Sequence, residues 1–331
     1  MNALYFYFIK FWVRILRALS TESADPADVY FGYRLLLGRE PEPEGWRNLL
    51  EFVRGNRSRK GVRDIFLNSK EFQEKHGRTT YASVQTGPFT MWLDTEDPHI
   101  SPGIMGGQTY EPHVTAALKR ELKSGDVFVD IGANMGWFTL TAAGIASRVS
   151  AIEPNFSNTQ LIYRSLLDNG FDNVEVLPYA VSDRPAFLEL QFVHSNGHVS
   201  AVDEAGGSST IVEARPLDDI LENIDRLDVI KMDIEGYEPI ALRGMAATLA
   251  RFRPVMLVEF HPAAIRAHAG LEPQAFLDAF QKLGYRLAVL RLDGQESAPM
   301  DTAEIIAEWE RVNREMKMNG NMHLDLIGRP S

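Results

Sequence analysis

The apolar positions along the chain follow two rhythms. From Pro26 to His76 they recur at helical spacing. Val29, Tyr30, Tyr33, Leu36 and Leu37 predict one helix, and Trp46, Leu49, Leu50 and Val53 a second that Gly55 ends. Val62, Ile65, Phe66 and Phe72 predict a third, and a turn at Gly38 to Pro43 separates the first two. Residues 26–76 therefore read as a small all-helical domain. Between 77 and 102 the apolar pieces shorten, as at Phe89 to Leu93, and Gly87, Pro88 and Pro98 interrupt them. That pattern suits a linker or a hairpin and puts the domain boundary there.

From Asp126 onward short β-rich runs alternate with helical stretches. Strands are expected at Val127 to Ile131, Val149 to Ile152, Val174 to Leu177, Val229 to Met232, Val255 to Phe260, Tyr285 to Leu290 and His323 to Ile327. Helices are expected over Phe138 to Ala146 and Leu161 to Asp168, and near Pro239 to Ala250 and Pro273 to Leu283. Such alternation implies an α/β domain over residues 103–331, a seven-stranded, doubly wound and mostly parallel sheet with right-handed crossovers. Its ligand crevice belongs at the carboxyl ends of the strands.

The first twenty residues form a separate case. Leu4 to Phe8 and Phe11 to Val13 are densely apolar, while Lys10, Arg14 and Arg17 share one helical face. These runs are too short to span a bilayer, and no small-residue cleavage site follows them. Residues 1–20 read either as an amphipathic helix lying in a membrane interface or as a helix docked on the protein's own body.

Composition then narrows the function. With 45% apolar and 24% charged residues in 331, the chain can bury a sizeable core. A net charge of −11 argues against affinity for phosphate backbones, so nucleic acid is not an expected partner. The absence of cysteine excludes disulfides, thiolate metal sites and cysteine nucleophiles, and fits a reducing compartment. The expected location is cytoplasmic, at the inner face of a membrane if residues 1–20 engage lipid.

The strongest local signal is the run Val129-Asp130-Ile131-Gly132-Ala133-Asn134-Met135-Gly136, where a strand passes through a glycine turn into a helix. Gly132 and Gly136 let the backbone bend tightly and approach a ligand. A dinucleotide site would carry a further glycine so that a pyrophosphate could sit on exposed amides. Here that glycine is missing, Asn134 stands in the turn, and Asp130 ends the strand. A carboxylate there suits a ligand with an ammonium group and no phosphate, which describes S-adenosylmethionine. The bland alternative is an ordinary turn punctuated by glycine. Glu153, twenty-one positions after Gly132, closes the next strand, where an acid in this fold accepts from both ribose hydroxyls. Tyr179 to Asp183 falls where such folds meet adenine, although Ser182 and Asp183 also suit a simple turn.

These segments resemble the FkbM-type methyltransferases over roughly Gly103 to His261. The matching pieces are D-I-G-A-N-M-G at Asp130 to Gly136, E-P-N at Glu153 to Asn155, A-V-S-D at Ala180 to Asp183 and K-M-D-I-E-G at Lys231 to Gly236. The resemblance implies a Rossmann-like class I methyltransferase that uses S-adenosylmethionine, usually on a hydroxyl of a sugar, polysaccharide or secondary metabolite. It assigns the donor to Asp130, Gly132, Asn134, Gly136, Glu153, Asn155, Ser182 and Asp183. The helical unit is also similar to a domain of undefined function often found beside glycan-modifying enzymes. That likeness rests on Tyr33 to Pro41, Pro43-Glu44-Gly45 and Ser69 to Phe72.

Catalytic candidates lie at the carboxyl ends of the fourth and fifth expected strands. O-methylation requires the acceptor oxygen to lose its proton as it attacks, so a base within hydrogen-bond reach helps. Asp233 or Glu235 could serve as that base and Lys231 could stabilise the developing alkoxide. His261 is another candidate base, its plain alternative being a histidine that caps a loop before Pro262. Glu259 and His261 could join Asp233 and Glu235 at one rim, where a hard cation such as Mg²⁺ on Asp233, Glu235 and Glu259 is the less favoured option. His194 and His198 lie in a Gly/Ser/His-rich stretch to Ser209 that reads as a mobile loop. Two rival functions stand beside methyl transfer: a nicotinamide-dependent oxidoreductase, and a catalytically silent membrane-attached scaffold.

Overall fold

The computed structural model describes residues 24–55, 58–75, 81–193, 196–199 and 208–331. The amphipathic segment 1–20 lies outside the described residues. The chain divides into two compact units, the first ending at Thr79 and the second running from Thr80 to Ser331. Among the described residues no helix is long and apolar enough to cross a membrane.

In the first unit α1 (Pro26–Phe31) starts at Asp25, whose side chain accepts from the amides of Ala27 and Asp28 while the Asp28 carboxylate accepts from the Asp25 amide. One π-helical turn, Gly32–Leu36, continues it. Then follow α2 (Pro43–Arg54), α3 (Arg59–Leu67) and α4 (Lys70–Lys75). Periodicity predicted a single helix where α3 and α4 lie. Ser69 divides it, because its hydroxyl donates to the Phe66 carbonyl and accepts from the Phe72 amide. Val29, Tyr33, Leu36, Val62, Phe66 and Phe72 are buried, with Tyr33 edge-on to Phe66 at 5.0 Å. Arg39 forks onto both oxygens of Glu71 at 2.6 and 2.7 Å, bonds Glu42 and lies 4.9 Å over Tyr33. This ion pair ties the segment after the π-helical turn to α4.

The second unit opens with an antiparallel hairpin, β1 (Tyr81–Gln85) and β2 (Thr90–Asp94), followed by α5 (Ser101–Met105) and α6 (Pro112–Glu121). The parallel core comprises β3 (Val127–Ile131), α7 (Trp137–Ala143), β4 (Arg148–Ile152), α8 (Phe156–Asn169) and β5 (Val174–Leu177). The Trp92 amide donates to Ser165 Oγ at 2.9 Å and its indole to Asp168 at 2.7 Å. Bonded in this way to α8, the hairpin belongs to the same compact unit as the sheet.

Next come β6 (Ala180–Val181), β7 (Ala186–Val193), β8 (Asn196–Val199) and β9 (Ser208–Arg215), which form a separate four-stranded sheet in the order β6-β9-β7-β8. This corrects the expectation of a loop from His194 to Ser209, since β8 and the start of β9 lie within it. The weak alternation of Ala186, Leu188 and Leu190 against Val212 and Ala214 packs one face, while Phe187 and Ile211 face outward. His194 lies outside the described residues, as does the side chain of His198.

The chain returns through α9 (Leu217–Ile220) to β10 (Val229–Met232), α10 (Glu238–Arg243), α11 (Ala246–Phe252) and β11 (Val255–Phe260). It closes with α12 (Pro262–Ala264), α13 (Pro273–Lys282), β12 (Tyr285–Leu290), α14 (Thr302–Met316) and β13 (Leu324–Pro330). The main sheet runs β12-β13-β11-β10-β3-β4-β5, with β13 antiparallel to both neighbours and the other pairs parallel. All seven expected strands are present in it. The order reverses between β3 and β10, so the crevice for a ligand opens at their carboxyl ends.

Alternate residues feed two cores. Phe128, Val229, Leu257, Leu290 and Ile327 pack on one face, while Val129, Ile131, Met232, Phe260 and Leu326 pack on the other. By the same period of two, Asp130, Lys231, Glu259 and Asp325 belong to the first face, which α6 covers with Val114, Ala117 and Leu118. Toward the carboxyl ends this apolar face becomes a row of charge.

Candidate active site

The turn after β3 is shaped by two glycines. Gly132 has φ +79°, and a Cβ there would stand 1.8 Å from the Asp233 carbonyl oxygen. Gly136 has φ +97° and lies against Ile162. The first turn therefore presses directly on the end of β10. Asn134, left-handed at φ 48°, donates its amide to Glu153 Oε2 at 2.8 Å, and Glu153 Oε1 accepts from the Asn155 amide at 2.8 Å. Glu153 so joins the turn to the next strand; Oε1 also accepts from Asn158 Nδ2 at 3.5 Å, and Oε2 keeps a lone pair for a hydroxyl. Burial, opposed by these amides, pushes its carboxyl up to about 7.

Asp130 is fully buried. One oxygen accepts from the Thr139 hydroxyl at 2.6 Å, and the other has no partner among the described residues. An unpartnered buried carboxylate oxygen is costly until a donor arrives, and an ammonium group fits that need. Burial, partly offset by Lys231, raises its pKa. Asn155 Oδ1 caps α8 by accepting from the Ser157 amide. Ser182 is buried, with its hydroxyl 3.5 Å from that of Tyr237 and its carbonyl against Gly244, and Asp183 follows it half-buried.

Lys231 and Asp233 are bonded at 2.9 Å with side chains only 7% and 17% exposed, and the ammonium sits 4.6 Å over the Phe138 ring. Lys231 is in register with Asp130 on β3. Burial alone would lower its pKa, but Asp233, Asp130 and Glu111 hold it above the usual range. Burial alone would raise Asp233, yet the Lys231 charge and a hydrogen bond from Glu259 keep it below the usual carboxylate range. Glu259 is raised well above that range by burial and by the acids around it. Among the described residues no three of these groups are arranged to hold a metal ion. Lys231, Asp233 and Glu259 instead form a chain of contacts.

Glu235, at φ 56° in the turn after β10, is pushed up to about 7 by burial and the nearby Asp233. His261 caps α12, its Nδ1 accepting from the Ala264 amide at 3.2 Å, and burial beside His323 lowers its pKa. The capping role is thus present in the structure.

Several residues at the site carried no sequence signal that singled them out. Asp325 pairs with Glu259 across β11 and β13, and its Oδ2 is 2.6 Å from His113 Nε2 on α6. His323 lies 3.8 Å from the same oxygen. Glu111, the residue before α6, is left-handed and pushed up to about 7 by burial. Glu238 is buried and bonded to the Ile234 amide, its carboxyl raised to about 8, first by burial. A cavity of about 10 Å³, room for roughly one water, lies among Val114, Lys231, Asp233, Glu259, Leu290 and Asp325.

Residues 130–287 match the family model of the methyltransferase FkbM domain. They form an FkbM-type methyltransferase domain. It begins at Asp130 and takes in the glycine turn, Glu153, the Lys231–Asp233 pair and Glu259, while Glu111, His113, His323 and Asp325 fall outside it. Among solved structures the chain is similar to a methyltransferase FkbM from Methylobacillus flagellatus, with 16% identity, TM-score 0.39 and coverage of 90% of this chain and 58% of that one. It is also similar to Trm5b from Pyrococcus abyssi, at 13% identity and TM-score 0.40, covering 76% of this chain and 56% of that one. For M. jannaschii TYW2 in complex with AdoMet the identity is 14% and the TM-score 0.40, with 76% of this chain and 87% of that one covered. The chain thus spans little more than half the length of the first two. No curated protein matches the chain.

Proposed function

We propose that the FkbM domain makes this chain an S-adenosylmethionine-dependent methyltransferase acting on a hydroxyl of a sugar, polysaccharide or related metabolite. One observation carries the reading: the Gly132 turn closes on the Asp233 carbonyl and so sets a donor crevice directly beside a cluster of carboxyl groups. When bound, the donor supplies an electrophilic methyl group on a sulfonium. On the donor side Asp130 offers an unpartnered oxygen to the ammonium, and Glu153 offers a lone pair on Oε2 to the ribose hydroxyls. Ser182 and Asp183 are assigned to the adenine. On the acceptor side the carboxyl cluster receives the hydroxyl's proton, while Lys231 holds Asp233 in place.

A glycan acceptor is favoured by the helical unit's likeness to a domain that accompanies glycan-modifying enzymes, and by the acidic rim, which would repel phosphate-rich acceptors. Residues 1–20 would bring the enzyme to a cytoplasmic membrane surface where such glycans are assembled. Nitrogen acceptors use the same fold, so the acceptor atom has to be identified. Mass spectrometry of surface glycans and small metabolites, with and without the gene, tests the reading. One species should be lighter by a single CH₂ in its absence. Unchanged spectra, or unchanged biological activity after replacing both Asp233 and Glu235, would favour the scaffold instead.

A further inference from the structure

Asp130 stands near the carboxyl end of β3, and the chain turns through Gly132 and Gly136 before α7 brings Thr139 back to it. Both residues are fully buried, and the Thr139 hydroxyl donates to Asp130 Oδ2 at 2.6 Å. A threonine inside a helix commonly turns its hydroxyl to the carbonyl three or four residues back. Here it reaches across the glycine turn instead. The bond ties the start of α7 to the strand from which the turn departs.

This contact decides how the carboxylate is used. An aspartate side chain can rotate about its last bond and present either oxygen to a donor. Lys231 stands in register with Asp130 on β10 and would be a natural partner, but its ammonium bonds Asp233 at 2.9 Å. Asp130 Oδ2 is taken by Thr139, and Oδ1 has no partner among the described residues. The bond also favours the ionised form: burial raises the Asp130 carboxyl, while the Lys231 charge and then the Thr139 hydroxyl oppose that rise.

Resting on the proposed function, we propose that Thr139 is a positioning residue for the donor, locking Asp130 with one oxygen occupied and the other left for the ammonium of S-adenosylmethionine. Thr139 acts through Asp130 and makes no bond to the donor itself. Without its hydroxyl the carboxylate turns toward Lys231, and the ammonium loses its acceptor.

Thr139→Val keeps the shape of the side chain and removes the hydroxyl, whereas Thr139→Ser keeps the hydroxyl. Each is made in the full-length chain, Thr139→Val also together with Asp130→Asn. All are titrated with S-adenosylmethionine by calorimetry, after thermal unfolding has verified the fold. Thr139→Val should weaken binding by about tenfold, the effect of losing one hydrogen bond to a charged group. Thr139→Ser should bind within about threefold of wild type. Asp130→Asn should weaken binding at least as much as Thr139→Val, and adding Thr139→Val to it should cause no further loss, because both act on one contact. Should Thr139→Val not fold, Thr139→Ala takes its place in the same comparison. A loss that Thr139→Ser shares in full, or losses that multiply in the double variant, overturn the assignment. Wild-type affinity in the folded variant without the hydroxyl refutes this inference alone. A folded wild-type chain that binds no donor refutes the proposed function itself, and this inference with it.

Discussion

The Lys231 ammonium lies 2.9 Å from the Asp233 carboxylate, beneath the ring of Phe138 and in register with Asp130. One buried cation thus divides the carboxyl groups at the mouth of the sheet into two sets. Asp233 is held below the usual carboxylate range beside it, whereas Asp130, Glu259, Glu235 and Glu111 are each raised first by burial.

Because Lys231 and Asp233 are both largely buried, removing one partner leaves a charge without compensation. Asp233→Asn should destabilise the chain by about 3 kcal/mol, while Lys231→Met combined with Asp233→Leu recovers most of that loss. Urea unfolding of the two single variants and the pair decides it. Equal stability of Asp233→Asn and wild type would show that the pair contributes nothing.

Gly132 is constrained by backbone, so its neighbour cannot move away cheaply. Gly132→Ala brings a Cβ against the Asp233 carbonyl at a left-handed position and should cost about 2 kcal/mol or more. The donor crevice is displaced at the same time. A lowered unfolding midpoint together with lost S-adenosylmethionine binding is the expected pattern.

Glu153 accepts two backbone amides with its two oxygens. Glu153→Gln turns one acceptor into a donor facing an N–H, at about 2 kcal/mol. A ribose hydroxyl deprived of its carboxylate acceptor loses about 2 kcal/mol as well, so affinity for S-adenosylmethionine should drop by roughly thirty-fold, and S-adenosylhomocysteine should lose as much, since both carry the ribose. Unaltered affinities for both would take Glu153 out of the site.

Stability without donor should fall as the pH rises. Burial is the first cause that pushes Glu111, Glu153 and Glu235 up to about 7 and Glu238 to about 8, from an ordinary 4.5. A carboxyl raised on folding holds its proton more tightly in the folded chain. Its contribution is full below the unfolded value and is lost as pH climbs through the folded one. His113 acts with the same sign: burial opposes its charge, but Asp325 raises it above its ordinary 6.5. The unfolding midpoint should therefore decline between about pH 5 and about pH 8, and a midpoint that rises there would contradict these assignments.

The main sheet was legible because its strands are short, β-rich and separated by helical periods, so each of the seven runs marked a strand. The four-stranded sheet was not, because the Gly, Ser and His content from His194 to Ser209 masks the alternation that continues at Ile211 to Ala214. At the site, Asp130, Glu153, Lys231, Asp233, Glu235 and Glu259 could be picked out as polar residues at strand ends. His113 comes from a helix and Glu111 from the residue before it, neither at a strand end, and β13 runs antiparallel, so its acid lies at the start of the strand. The spacing of His323 and Asp325 on one face, and Glu111 directly before Pro112, were the available signals.

Isothermal titration of the full-length folded chain with S-adenosylmethionine examines the central assignment directly. Saturable binding at one site per chain, abolished by Gly132→Ala, is the expected result. No heat of binding from a sample whose folding is verified in the same buffer would contradict it.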